Sequence, residues 1–215
     1  MNIESLESRT LLSASAINTQ IAIDRLQVKA DLLQFRSDIA SNDLTLFDDA
    51  QALKADGLTS DPTFKSDLET LHKAVNSMHQ QLYADRLNEG ANVLHDQSVI
   101  VLELIQILKD KGNPTALAAD HQKLLADRVQ LQTDEINGLN ARIQTRETDL
   151  GTISTDASNL VTAVEMDPNA SAQALIDVQK FATDRDSAIT TLTSDLETIM
   201  LARTTLADAL MALET

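Results

Sequence analysis

Three side chains in the chain have types and spacing that could hold a metal. Glu69-x-x-His72 sets a carboxylate and an imidazole one helical turn apart. Paired Glu-x-x-His motifs at that spacing bind two metals inside some four-helix bundles. His79 follows His72 at seven residues, on the same face of a helix. A di-metal centre also needs a second such motif and two more inward carboxylates. The matching place elsewhere reads Glu197-x-x-Met200, which lacks the histidine. Two imidazoles alone leave a tetrahedral ion two ligands short. Glu69, His72 and His79 are therefore the metal candidates, and the expectation is exposed residues beside an apolar seam, with no cofactor.

Other chemistry has still less support. The chain contains no Gly-x-x-x-x-Gly-Lys-Ser/Thr loop, no Gly-x-Ser-x-Gly elbow and no His-Glu-x-x-His pair. Acid–base work needs paired carboxylates in a cleft, and here the acids scatter along helix faces. The sequence predicts no catalytic residues and no enzyme.

The elements that carry these residues follow from composition. Aromatics make up 2% of the 215 residues, with no Trp, and glycine (5) and proline (3) are scarce. A core of Leu, Ile, Val and Ala suits helices packed side by side. The net charge of −16 repels phosphate backbones, so no nucleic-acid partner is expected. Cysteine is absent, which removes disulfides and thiolate metal sites. No run of about 18 uncharged apolar residues occurs, so no transmembrane segment is expected.

All three prolines sit at turn signals: Asp61-Pro62, Asn113-Pro114 and Asp167-Pro168. Each pairs a capping side chain with a residue whose missing N–H costs nothing in a first helical turn. Gly57 is placed as the residue that closes the first helix. The cuts predict helices over about 15–56, 62–111, 114–166 and 168–214. At 1.5 Å per residue these are on the order of 60–80 Å long, and short turns make sequential neighbours antiparallel. The predicted fold is all-α, an elongated up-down-up-down four-helix bundle with coiled-coil-like heptad packing.

The seams recur at steps of 4 and 3. In the first helix they are Val28, Leu32, Phe35, Ile39, Leu46 and Leu53, with Asn42 and Asp49 in the intermediate slots. A polar residue in such a slot can fix register at a cost in stability, but the reading preferred for this helix is that the stripe drifts onto Leu44 and Phe47. The second seam is Phe64, Leu68, Leu71, Val75, Met78 and Leu82, then slips to a column at Leu87, Leu94, Val101 and Leu108. The stretch from Val99 to Leu108 is apolar almost all round, which predicts burial by neighbours. Its alternative is an oligomer surface or a membrane-insertive patch of Val99, Ile100, Val101, Leu102, Leu104 and Ile105. The third seam slips between Leu131 and Ile136. Gly90 and Gly138 fall near these slips, predicting that both helices bend or break there, or that Asn137-Gly138 forms a loop and yields five helices. The fourth seam is the most regular, with Arg185 and Arg203 read as seam-edge residues that snorkel.

The first 14 residues differ from the body. Leu6-Glu7-Ser8-Arg9-Thr10-Leu11-Leu12-Ser13-Ala14 resembles the LEPR-XLL-type motif at the N-terminus of planctomycete surface and secreted proteins. Leu6, Glu7, Arg9, Leu11, Leu12, Ser13 and Ala14 match the pattern, and Ser8 stands where the family has proline. The resemblance implies an extracellular or cell-surface address and is silent on the remaining residues. The whole predicts a non-enzymatic helical spacer or interaction module with a protein partner, the chain itself included as a homo-oligomer. A membrane-active helical protein and a cytoplasmic coiled-coil adaptor are the alternatives.

Overall fold

The computed structural model describes residues 3–213, with side chains described from Ala16 to Leu213. It is an all-α, antiparallel four-helix bundle: α1 (Ile3–Ala55), α2 (Pro62–Lys109), α3 (Pro114–Met166) and α4 (Ala172–Met211). A 3-10 turn, Leu58–Ser60, joins α1 to α2. Helix α2 packs on α3, α3 on α4, and α1 on α4. α1 includes the backbone of the N-terminal motif. The side chains of Leu6, Glu7, Arg9, Leu11, Leu12, Ser13 and Ala14 lie outside the described residues.

The turns form for the reasons their residues suggest, with one difference. Gly57 takes φ 76°, a left-handed conformation that its missing Cβ allows, and its N–H donates to the Lys54 carbonyl at 3.1 Å. Asp61 Oδ1 accepts from Phe64 N at 2.8 Å, and Asn113 Oδ1 from Ala116 N at 3.3 Å. The start of α4 lies later than Pro168. Asp167 accepts from Asn169 N at 2.8 Å, closing a local turn, and Ser171 Oγ caps the helix by accepting from Ala174 N at 2.9 Å. Asp167 therefore spends its carboxylate on its own turn, and the helix must wait for the next cap.

The chain divides into two compact units. One comprises the chain up to Leu32, Arg86–Asn140 and the chain from Thr198 onward; the other is Leu33–Asp85 with Ala141–Glu197. The second unit holds a continuous apolar core. Phe64, Leu71, Ile153, Leu160, Val178 and Leu196 are essentially inaccessible. Arg146 is buried over the Phe35 ring at 5.9 Å, and Arg185 lies 5.0 Å from the Phe181 centroid. Both guanidiniums face rings, an arrangement with its own attraction. In the first unit a smaller cluster, Ile21, Leu206 and Leu210, joins α1 to α4.

Two expectations about the seams are overturned. The α1 stripe does not drift: Leu44 and Phe47 are exposed, whereas Asp49 is 4% exposed and ion-paired with Lys180. Nor does α2 slip. After Leu82 the inward positions continue in the same phase through Asp85, Glu89, Asp96 and Glu103, and the column Leu87, Leu94, Val101 and Leu108 faces out. The helix phase cannot change without a break in its backbone, and none exists, because both α2 and α3 run unbroken past Gly90 and Gly138. A loop at Asn137-Gly138 is likewise ruled out.

Gly138 instead serves the contact between helices. A Cβ built there would lie 2.7 Å from Glu89 Cβ and 2.5 Å from Glu89 Cγ, so α2 and α3 approach too closely for any side chain. Gly90 has open space around the same construction. The two glycines therefore predict opposite outcomes. Gly138→Ala should destabilise by about 1–3 kcal/mol, as overpacking does. Gly90→Ala should stabilise by roughly 0.5–1 kcal/mol through helix propensity alone. Urea denaturation of both variants checks this, and equal signs would refute the packing account.

Candidate functional site

The metal candidates do not converge. Glu69 and His72 are exposed on α2. His79 borders a cleft of about 390 Å³ in the second unit whose other charged lining residues are Asp43, Arg146 and Arg185, so one carboxylate stands against two guanidiniums. Among the described residues no group of three or more His, Asp or Glu stands close enough to hold a metal ion.

What the carboxylates do instead is pair across helices. Asp96 of α2 meets Asp134 of α3, and Asp110 meets Asp120. In the second unit Asp56 meets Asp177, and Asp38 meets Asp195. Burial first, and the facing carboxylate second, push Asp96, Asp120, Asp56 and Asp195 above the ordinary 3.8. One member of each pair takes an amide hydrogen bond from a glutamine four residues earlier. These are Gln34→Asp38, Gln106→Asp110, Gln130→Asp134 and Gln173→Asp177, at 2.5–3.1 Å. The glutamine satisfies one carboxylate of each pair, and the facing one is the member whose value is raised. The same Gln-x-x-x-Asp spacing recurs at Gln20-Asp24 and Gln27-Asp31.

Burying acids in α2 turns its apolar residues outward, and this face is the main site candidate. Between Tyr83 and Lys109 the fully buried side chains are Asp96 and Glu103. Glu103 accepts from Lys123 Nζ of α3 at 2.6 Å. Val99 and Ile100 are half-buried, but Val101 (54%), Leu102 (65%), Leu104 (40%) and Ile105 (43%) are exposed. The expectation that neighbours bury Val99–Leu108 is thus overturned: three helices cannot surround a fourth whose inward face is already committed to α3. Leu87, Leu94, Val101 and Leu108 form one column at steps of seven, about 32 Å long at 1.5 Å per residue. All four acids of this stretch, Asp85, Glu89, Asp96 and Glu103, are inward or half-buried, so the outward face carries no carboxylate. By length and composition α2 is also the one described helix apolar enough to cross a membrane, with a mean hydropathy of 1.2 over 18 residues.

No protein-family model, curated protein or solved structure matches the chain. The site must be judged on its own chemistry.

The carboxyl pairs make stability depend on pH in a defined direction. Their folded values lie above the unfolded ones, so the folded chain binds more protons. Stability is then lost as pH rises from 3.8 through the raised folded values, and is regained on acidification from neutrality. Melting followed by circular dichroism should show a midpoint that rises as the pH is lowered from neutrality toward 3.8. Asp96→Asn, whose amide can donate to Asp134, should raise the pH 7.5 midpoint by a few degrees and flatten the pH dependence. A midpoint that falls steadily below pH 7 would reject the assignment.

Proposed function

We propose that the chain is a non-enzymatic helical interaction module, and that the outward face of α2 between Leu87 and Leu108 docks onto a second copy of the same chain. The observation that carries this is the acid-free leucine column. Seven apolar side chains there are at least 40% exposed. They present on the order of several hundred Å² of apolar surface, the scale at which a patch marks an interaction site. A column at strict steps of seven suits a continuous partner helix, because a 3.5-residue repeat keeps one seam in contact over its whole length.

Charge favours the chain itself as that partner. With a net charge of −16, two copies repel each other over most of their surfaces. The face from Leu87 to Leu108 is where that repulsion is least, because its acids have been taken inside. Gly90, Ala91 and Ser98 are small residues beside the column and let two backbones approach. The resemblance of Leu6–Ala14 to the N-terminal motif of planctomycete surface proteins supports an address outside the cell or at its surface. The role there is that of a spacer or adhesion element.

A second reading rests on the hydropathy of α2. The same face could enter a lipid bilayer, making the chain membrane-active. Its acidity argues against anionic lipid as the target.

Light scattering after gel filtration tests the first reading. At about 100 μM the chain should run as a dimer or larger assembly, since a Kd near 1 μM saturates there. Leu94→Glu and Val101→Glu lie at exposed sites and should yield folded monomers. A wild-type monomer at that concentration defeats self-association. Dye release from zwitterionic liposomes at micromolar protein, lost in the same variants, would then favour the membrane reading.

A further inference from the structure

The first unit contains a cleft of about 530 Å³, within the range that binds small molecules. Its apolar wall is Val28, Ile100, Val101, Leu131, Leu206 and Leu210, drawn from all four helices. Its polar wall is cationic. Arg25 of α1, Arg128 of α3 and Arg203 of α4 line it, and Glu135 is the sole carboxylate among the lining residues. That carboxylate is already taken: Arg203 donates to Glu135 and, at 3.2 Å, to Gln132 Oε1.

Arg25 and Arg128 remain. Neither makes an ion pair with a described residue, although the chain carries 33 acids against 17 bases. They stand near enough to act on each other: burial first, and the Arg25 charge second, lower the Arg128 guanidinium from its ordinary value. Two like charges held together at the rim of an apolar cleft are unfavourable in the empty protein. The chain's other inward guanidiniums are covered by rings or paired: Arg146 and Arg185 lie over Phe35 and Phe181, and Arg203 is held by Glu135. A ligand that relieves the repulsion must be an anion, and one that also fills the cleft must have an apolar body.

We propose that this cleft binds an amphipathic anion, with a carboxylate or phosphate head held between Arg25 and Arg128 and an alkyl body lying on the Leu131, Leu206 and Leu210 wall. Guanidiniums suit such heads because their parallel N–H groups match two oxygens at once. The wall supplies affinity in proportion to the apolar area removed from water. Arg203, neutralised by Glu135, stays a wall and does not compete for the head.

Calorimetric titration with decanoate, decyl phosphate, decanol and inorganic phosphate tests the site. Decanoate or decyl phosphate should saturate one site per chain, and whichever binds at least 10-fold tighter identifies the head. Decanol and inorganic phosphate should each bind at least 10-fold more weakly, for want of the head or the body. Arg25→Gln, at an exposed position that leaves the fold intact, should weaken the better ligand at least 10-fold, and Arg128→Gln should do the same. Arg36→Gln, an exposed arginine in the other unit, should leave it unchanged. Decanol binding as tightly as the anions would overturn the proposal, as would unchanged binding in both cleft variants or no binding by either anion at millimolar concentration.

Discussion

An α-helix turns 100° per residue whatever its side chains are, so its inward positions are set by phase and cannot be chosen one by one. Here that constraint meets a chain in which several inward positions are acidic. From Leu82 onward α2 must present Asp85, Glu89, Asp96 and Glu103 to α3, because nothing breaks the helix to shift its phase. The consequences follow from that obligation. Glu103 is held by Lys123, Asp96 shares its surroundings with Asp134, and Gly138 lets Glu89 lie against the α3 backbone.

The inward carboxylates meet the cost of desolvation in several ways, a hydroxyl donor among them, as Asp85 has in Thr145 at 2.8 Å. Some gain a cation, as Asp49 gains Lys180 and Glu135 gains Arg203. Some gain an amide, as Asp24 does from Gln20 at 2.7 Å. Others, Asp96 and Asp195 among them, face another carboxylate and have raised values. Facing another carboxylate is the least stabilising route near neutrality. Proton uptake by the raised member removes one of two facing charges, so the seam strengthens on acidification. The second unit depends on this less, because its interior is carried by Phe64, Leu71, Ile153, Leu160 and Val178.

Much of the fold was legible because its signals are local. Asp61-Pro62, Asn113-Pro114 and Gly57 act within a few residues of themselves, and the α4 seam from Val178 to Leu210 repeats without ambiguity. The errors share one cause. Leucines at steps of seven read as core, yet a heptad column specifies contact along a helix without saying which side of the bundle it occupies. Asp96 and Glu103 continue the Phe64–Leu82 phase equally well, but a polarity rule discards them. Gly138 reads as a weak point for the same reason: propensity is a local property, whereas the approach of Glu89 is a tertiary one. The arginine cleft had no signal in the sequence, since Arg25, Arg128 and Arg203 lie on three helices and share no spacing.

The outward column and the arginine cleft are two results of the same obligation. Had α2 slipped its phase at Gly90, as its leucines alone would favour, Leu94 and Val101 would have met α3. Asp96 and Glu103 would then have joined the acidic surface. The chain would have gained apolar burial and lost both an apolar exterior and a cationic recess. Instead its acids are drawn inward along α2. Ile100 and Val101 are left as part of the cleft wall, which Arg25 and Arg128 share and to which α2 contributes no acid. Stability is surrendered along this seam, and the two surfaces most able to bind something are what the surrender leaves exposed. A local conflict between pattern and packing is where function is expected in a protein whose remaining seams agree with their helices.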